Sequence, residues 1–391
     1  MHSSTSNSNR VIPEGPWLKT WVLAMILVLA LLLGWETTLR RLGHRPNVVD
    51  DKALWASQRA RVYSRHGEKT LVLLGDCRAQ LGLVPQVLRD RFPGHRVVQL
   101  SIQETSPVAT LRDLAEDRRF DGIVVCALDA RLLCKDMWDN QQSYVDYYHR
   151  EFRLNARLNR FFTTLTQRTL AAANPQLRWD ELALRLARGQ RLPSPYYIET
   201  HADRSRLADY RRVDLQRHRK WAYDRIRWLS ADRELPGPEE WLRDALEVEK
   251  WVQAIQTRGG RVVFLQPPTT GRHFAYTEFL FPKAEYWDAF AARTSALCVH
   301  FQDVRELAAF DCPDTSHIDR ADAPRFTQEL AKVLQGHALF AASQPTFAAC
   351  TSPDCCCRAD HVANHDGAQC PCCPVDFPDP CRDCTIATRQ S

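Results

Sequence analysis

Thr70-Leu-Val-Leu-Leu-Gly-Asp-Cys-Arg78 is the stretch that decides the fold. An apolar run closed by Gly75 has the pattern of a short strand buried on both faces, not of one that alternates toward solvent. Arg96-Val-Val-Gln-Leu100 and Gly122-Ile-Val-Val-Cys-Ala-Leu128 repeat the pattern, and Arg261-Val-Val-Phe-Leu-Gln266 does so a fourth time before Pro267-Pro268 stops it. Helical segments lie between the runs. Pro85–Arg91 and Pro107–Asp117 each open on a proline at a first-turn position. Residues 238–258 put Trp241, Leu242, Ala245, Val248, Val252 and Ile255 on one helical face, and Gly259-Gly260 ends it. A last helix after Ala321 carries Ala323, Phe326, Leu330 and Val333 on one side. Strands alternating with helices predict an α/β fold with a parallel sheet covered on both faces.

The chain has 391 residues, enough for a sizeable core. Charged residues at 25% and apolar ones at 45% exclude a wholly disordered, collagen-like or multi-span protein. A net charge of +5 is too weak a field to indicate a nucleic-acid partner. About 44 of the 52 cations are Arg, which suits planar contacts with carboxylates and phosphates and equally follows from genome composition. Nine of the 14 cysteines fall between Cys350 and Cys384, so the main body does not depend on disulfides.

Near the start, Thr20-Trp-Val-Leu-Ala-Met-Ile-Leu-Val-Leu-Ala-Leu-Leu-Leu-Gly-Trp35 is free of charge, with Lys19 able to snorkel and Trp17, Trp21 and Trp35 at interfacial positions. No small-x-small cleavage site follows, so the stretch reads as an uncleaved single-pass anchor. Arg10 and Lys19 before it nearly balance Arg40, Arg41 and Arg45 after it, and charge does not orient it. The expected organisation is a short N-terminal segment (1–16), a transmembrane anchor (17–36), a juxtamembrane linker and helix (37–64), an α/β domain (65–338) and a Cys/Pro-rich tail (339–391).

Within the α/β domain, residues 135–235 break the strand–helix rhythm with a helical insertion rich in Arg and aromatics. Its later part sets Arg212, Arg217, Arg219, Lys220, Arg225 and Arg227 among Tyr210, Trp221, Tyr223 and Trp228. Such mixtures suit sugars, anionic polymers or lipid headgroups. The plainer expectation is a helix with its aromatics packed inward and its arginines solvated.

Two short stretches carry chemistry. Gly75-Asp76-Cys77-Arg78 directly follows the first strand, and the carboxyl ends of strands in an open parallel sheet are where sites form. A helical turn there, together with Arg78, would favour a nucleophilic thiolate. Asp314-Thr-Ser-His317 precedes the last helix, and an Asp three residues before a His can orient the imidazole and leave its other nitrogen free as a base. His300, between Val299 and Phe301, reads as a core histidine. No P-loop, GxGxxG or HExxH motif occurs.

With LLGDCRAQLGL at the nucleophile turn, QLSIQETSPVATLRDLA after the second strand and PDTSHIDRADAPRFTQEL near the end, the chain resembles the SGNH/GDSL hydrolase superfamily. More closely it resembles the membrane-anchored branch akin to cell-surface polysaccharide O-acetyltransferase accessory proteins. The resemblance spans about residues 36–336 and implies a flavodoxin-like three-layer α/β/α domain preceded by one transmembrane helix. It further implies an esterase or O-acyltransferase acting on an ester of a cell-envelope glycan, with the domain on the periplasmic side of a bacterial cytoplasmic membrane. An envelope acyltransferase is the implied partner, and no cofactor is implied. Cys77 takes the nucleophile position, with His317 as base, Asp314 as its orienter, and Asp76 and Arg78 as turn residues that could also meet substrate or oxyanion. The family nucleophile is Ser, so Cys77 would act through an acyl-thioester. The family's second-block Gly falls near Glu104, and Asp129-Ala130-Arg131 stands where Gly-x-Asn-Asp is usual. That leaves the N–H groups of Cys77 or Arg78 as oxyanion donors. The alternative function is a catalytically degenerate relative that binds an envelope polymer or a partner subunit.

The tail has too few large apolar residues for a core, and disorder is expected. Cys370-x-x-Cys373 and Cys381-x-x-Cys384, with His361 and His365, have zinc-like elements. Their spacing matches no common module, and no metal is expected.

Overall fold

The computed structural model describes residues 15–63, 68–231 and 235–337, the side chains of 229–231 excepted. The expectations for the Cys/Pro-rich tail lie outside the described residues.

The chain begins with helix α1 (Trp17–Arg41), continues through α2 (Lys52–Arg59), and enters the sheet at β1 (Lys69–Leu74). There follow α3 (Cys77–Gly82), α4 (Pro85–Arg91), β2 (His95–Gln99), α5 (Val108–Glu116) and β3 (Ile123–Ala127). The next segment holds α6 (Gln142–Arg150), α7 (Leu154–Thr169), α8 (Trp179–Ala187), β4 (Ile198–Thr200), β5 (Arg206–Ala208) and α9 (Leu215–Ala231). After it come α10 (Pro238–Ala245), α11 (Glu249–Gln256), β6 (Arg261–Gln266), α12 (Gly271–Leu280), α13 (Trp287–Ala291), β7 (Leu297–His300), α14 (Arg305–Ala308) and α15 (Ala323–Gly336).

Five strands form one parallel sheet in the order β2-β1-β3-β6-β7. Counted along the sheet this is the flavodoxin-like order 2-1-3-4-5, with its topological switch point between β1 and β3. Period-2 alternation sends Val72, Leu74, Val124, Cys126, Val262 and Phe264 into one core, shared with α2, α5, α10 and α11. Leu71, Leu73, Ile123, Val125, Val263 and Leu265 enter a second core under α4, α14 and α15. Apolar residues on both strand faces therefore require helices on both sides, and the three-layer α/β/α expectation holds.

Three local readings change. Residues 238–258 are two helices, because Leu246–Val248 tighten to a 3-10 turn, although Trp241, Ala245, Val248, Val252 and Ile255 all stay in the first core. The insertion is not wholly helical: β4 and β5 pair antiparallel, and the buried Arg204 between them ties Asp50 to the Gln99 and Ser101 carbonyls. The fifth strand, β7, shows no strand signal beyond Val299, since Leu297 and Cys298 are only half-buried at the sheet edge. His300 at its end is buried against Trp287, and burial depresses its basicity to about 4, so it is a neutral core histidine.

α1 is long and apolar enough to cross a membrane, with most of its apolar side chains exposed. Its last turns dock on the domain: Glu36 accepts from the Ala171 and Ala172 N–H groups at 3.0 Å each, and Arg40 Nη2 donates to the Thr169 carbonyl at 2.8 Å.

Candidate active site

The switch point brings the β1 and β3 loops side by side. Gly75 leaves β1 with φ +146°, and a Cβ there would lie 2.5 Å from the Ala127 carbonyl oxygen, so only glycine lets the two strand ends approach this closely. Asp76 caps α3 by accepting from the Arg78 N–H at 2.9 Å. Cys77 is thus the first residue of α3, half-buried, with an N–H that has no intrahelical acceptor.

Arg78 and Asp76 line the pocket beside Cys77, but their polar atoms turn inward. Arg78 Nε and Nη2 donate to Asp76 Oδ2 at 3.0 and 2.8 Å, and Nη2 also reaches Asp129 Oδ2 at 2.7 Å. This buried carboxylate–guanidinium–carboxylate bridge ties the β1 turn to the β3 turn. Because the Arg78 N–H already serves Asp76, of the two candidate oxyanion amides only that of Cys77 is left.

Asp314 and His317 come together as their spacing predicts. His317 Nδ1 lies 2.8 Å from Asp314 Oδ2, while Asp314 Oδ1 accepts from the Ser316 and His317 N–H groups at 2.9 and 2.7 Å. Thr315 between them has φ 75°, an unfavourable conformation for a β-branched residue that lets the loop fold back on itself. His317 Nε2 is buried and makes no hydrogen bond to nitrogen or oxygen among the described residues; Cys77 is the group that the imidazole meets besides Asp314. Burial disfavours the imidazolium, but attraction from Cys77 and then Asp314 outweighs it, so His317 titrates well above the ordinary histidine range. Burial raises the Asp314 carboxyl, and its attraction to His317 and its hydrogen bonds overcome this and hold it well below the ordinary range. The pair is therefore a carboxylate and a readily protonated imidazole, with the free nitrogen in the pocket that Cys77 lines.

Four contributors are not apparent from motifs. Tyr210, at the start of a 3-10 turn after β5, donates its phenol to Asp314 Oδ2 at 2.8 Å. Glu104 stands where a glycine was anticipated and does take the left-handed conformation, φ 56°; its carboxylate is paired with Arg225 of α9 at 2.7 Å. His273 of α12 is buried in the pocket wall, and burial and then Arg78 press its basicity down to about 4. Arg131 is buried in the same wall; its Nε has no partner, and the guanidinium makes one long contact, Nη1 to Met137 Sδ at 3.8 Å. A cation that follows β3, lines the pocket and makes no ion pair within 4 Å among the described residues, its attraction to the Arg78-bridged Asp129 apart, is available to a developing negative charge. The only sequence signal for it was the absence of Gly-x-Asn-Asp at that place.

Helix α9 walls the pocket, which is open to solvent, with Trp221, Ala222, Arg225 and Ile226. Arg219 Nε latches α9 to the Pro313 carbonyl at 2.6 Å, beside Asp314. The expectation of inward aromatics and solvated arginines is thus reversed in part: Ala222 and Ile226 are buried, Trp221 and Trp228 are exposed, and Arg219 and Arg225 are engaged. Among the described residues no cluster of His, Cys, Asp and Glu is placed to hold a metal ion.

The fold class is a flavodoxin-like α/β/α domain with the Gly75-Asp76-Cys77 turn at its switch point. No protein-family model matches the chain. No curated protein matches it either. Among solved structures, the crystal structure of TesA is similar over 68% of this chain and 99% of its own, at 14% identity and a TM-score of 0.31.

Proposed function

We propose that the protein is a membrane-anchored, SGNH-like esterase or O-acyltransferase that acts on an ester of a cell-envelope glycan through Cys77, His317 and Asp314. The reading places α1 across a bacterial cytoplasmic membrane and the domain on its outer side. The observation that carries it is the Asp314-held His317, whose imidazole also interacts with Cys77 in a pocket that both line.

His317 takes the Cys77 thiol proton, the sulfur attacks the ester carbonyl carbon, and the carbonyl oxygen becomes the oxyanion. The Cys77 N–H and the Arg131 guanidinium are its donors, Arg131 standing in for the missing Gly-x-Asn-Asp. His317 gives its proton to the departing alkoxide, leaving an acyl-thioester on Cys77. His317 then takes a proton from water, giving hydrolysis, or from a glycan hydroxyl, giving transfer, and the returning oxyanion expels the thiolate. Asp314 fixes the imidazole tautomer throughout, and Tyr210 holds Asp314.

The test uses the purified full chain and an aryl acetate, with intact-mass detection of an acyl adduct on Cys77. Turnover that disappears in both Cys77→Ala and His317→Ala is expected. Undiminished turnover in either variant overturns the mechanism. The second reading, a non-catalytic polymer-binding relative, is favoured by one observation. A groove beside the pocket gathers Arg219, Lys220, Arg227 and Arg272 around Tyr223. It requires salt-sensitive polyanion binding by a wild-type protein that has no esterase activity.

A further inference from the structure

Helix α7 is amphipathic in the reverse sense for a helix on a protein surface. Leu154, Leu158, Phe161, Phe162 and Leu165 fall within an arc of roughly 100° at the helical period. All five are between 38% and 71% exposed. The opposite face carries Arg160 and Gln167, and these are the residues α7 buries. Arg160 Nη1 donates to Asp51 Oδ2 at 3.0 Å, and Gln167 Oε1 accepts from the Val49 N–H at 3.1 Å. A helix that turns its polar side to its own protein and its leucines and phenylalanines outward presents a surface for something apolar.

The position of this face indicates what covers it. The C-terminal end of α7 and the turn after it form the seat for α1, through the Thr169 carbonyl and the Ala171 and Ala172 N–H groups. Leu39 of α1 packs there against Ala171 and Leu177. The exposed apolar run of α1 ends at Leu33, about one turn before Glu36, so the C-terminal end of α7 is seated within about one turn of where that run stops. Exposed Arg157 and Arg168 border the stripe on one edge, and exposed Leu170 and Trp179 extend it.

We propose that the outer face of α7 is a membrane-docking surface, seated in the interfacial layer of the same bilayer that α1 crosses. The proposal rests on the reading of α1 as an anchor. Leucines and phenylalanines enter the acyl boundary while Arg157 and Arg168 meet lipid phosphates. The domain is then held to the membrane at two places, through a spanning helix and an interfacial one.

The test incorporates the photoreactive amino acid benzoylphenylalanine at Phe161, or separately at Leu27 of α1, in the full chain reconstituted in vesicles of phosphatidylethanolamine and phosphatidylglycerol. Lipid adducts are expected at both positions. With the probe at Leu158, the double substitution Phe161→Asp, Phe162→Asp is expected to lose the lipid adduct. The Leu27 adduct survives the same change. A lipid adduct at Leu27 with none at Phe161 overturns the docking surface while the anchor stands. So does an adduct from Phe161 to the chain's own tail, to a second copy or to another protein. No lipid adduct at either position overturns the anchor and the docking surface together.

Discussion

Tyr210 donates its phenol to the same Asp314 oxygen that holds the His317 imidazole, each at 2.8 Å. The helical insertion thus completes a hydrogen-bond chain whose other members lie on the loop before α15. Asp314 accepts four hydrogen bonds in all, two at each oxygen, and is fully satisfied while buried. Removing the phenol leaves one of them unmade on a buried carboxylate. Tyr210→Phe is expected to lower stability by about 1.5–3 kcal/mol. Thermal unfolding of the detergent-solubilised chain measures it. On the proposed mechanism the esterase assay is expected to show a lower kcat with KM little changed, because Tyr210 holds Asp314 and does not line the pocket.

The raised basicity of His317 fixes the sign of a pH effect. A group that binds its proton more tightly folded than unfolded stabilises the fold fully below the unfolded value, about 6.5. That contribution is lost as pH rises through the folded value, which lies well above 6.5. The stability gap between wild type and His317→Gln is therefore expected to be widest near pH 6 and to narrow with increasing alkalinity. Cys77→Ala removes the strongest attraction on the imidazolium, so the His317 titration followed by NMR is expected to move down. A titration unchanged by that substitution would place Cys77 out of reach of the base.

Arg131 separates activity from stability. If its guanidinium stabilises the oxyanion, Arg131→Ala lowers kcat by about 10²–10³. Its Nε is unpaired, and the attraction to Asp129 that it gives up is backed by the Arg78 bridge, so the melting temperature is expected to change little. Arg131→Lys is expected to recover part of the rate, and equal rates in all three proteins would remove Arg131 from the mechanism.

Gly75→Ala tests the meeting of the β1 and β3 turns. A Cβ would press on the Ala127 carbonyl at 2.5 Å and on Ala79 Cβ at 2.8 Å, at a φ that other residues avoid. The backbone conformation alone costs about 1–3 kcal/mol. The substitution is expected to unfold the chain or cut its melting temperature sharply, and a wild-type melting curve would contradict the geometry.

Much of this was legible in the sequence, and the reason is local. The strands before Gly75, Leu128 and Gln266 are short apolar runs that nothing but a two-sided sheet can bury, so the α/β class followed from them. Asp314 and His317 are three residues apart, and one tight turn suffices to join them. What stayed hidden depends on chain segments far apart in sequence. Tyr210 reaches Asp314 across 104 residues and Arg225 reaches Glu104 across 121, and no local pattern encodes either contact. Arg78 sits between the two cases. Its place beside Cys77 favours turn contacts over substrate, and its charge does satisfy Asp76 in the turn, but the reach to Asp129, 51 residues on, has no local signal.

That same bridge has an evolutionary consequence. Arg78 cross-links the turns after β1 and β3, so the position of Cys77 is set by the sheet and not by the wall opposite. The wall is α9, whose Trp221 and Ile226 have no part in that bridge. On the proposed function, acceptance of a new acyl group or glycan can therefore arise by drift along one helix, with Cys77, His317 and Asp314 inherited unchanged.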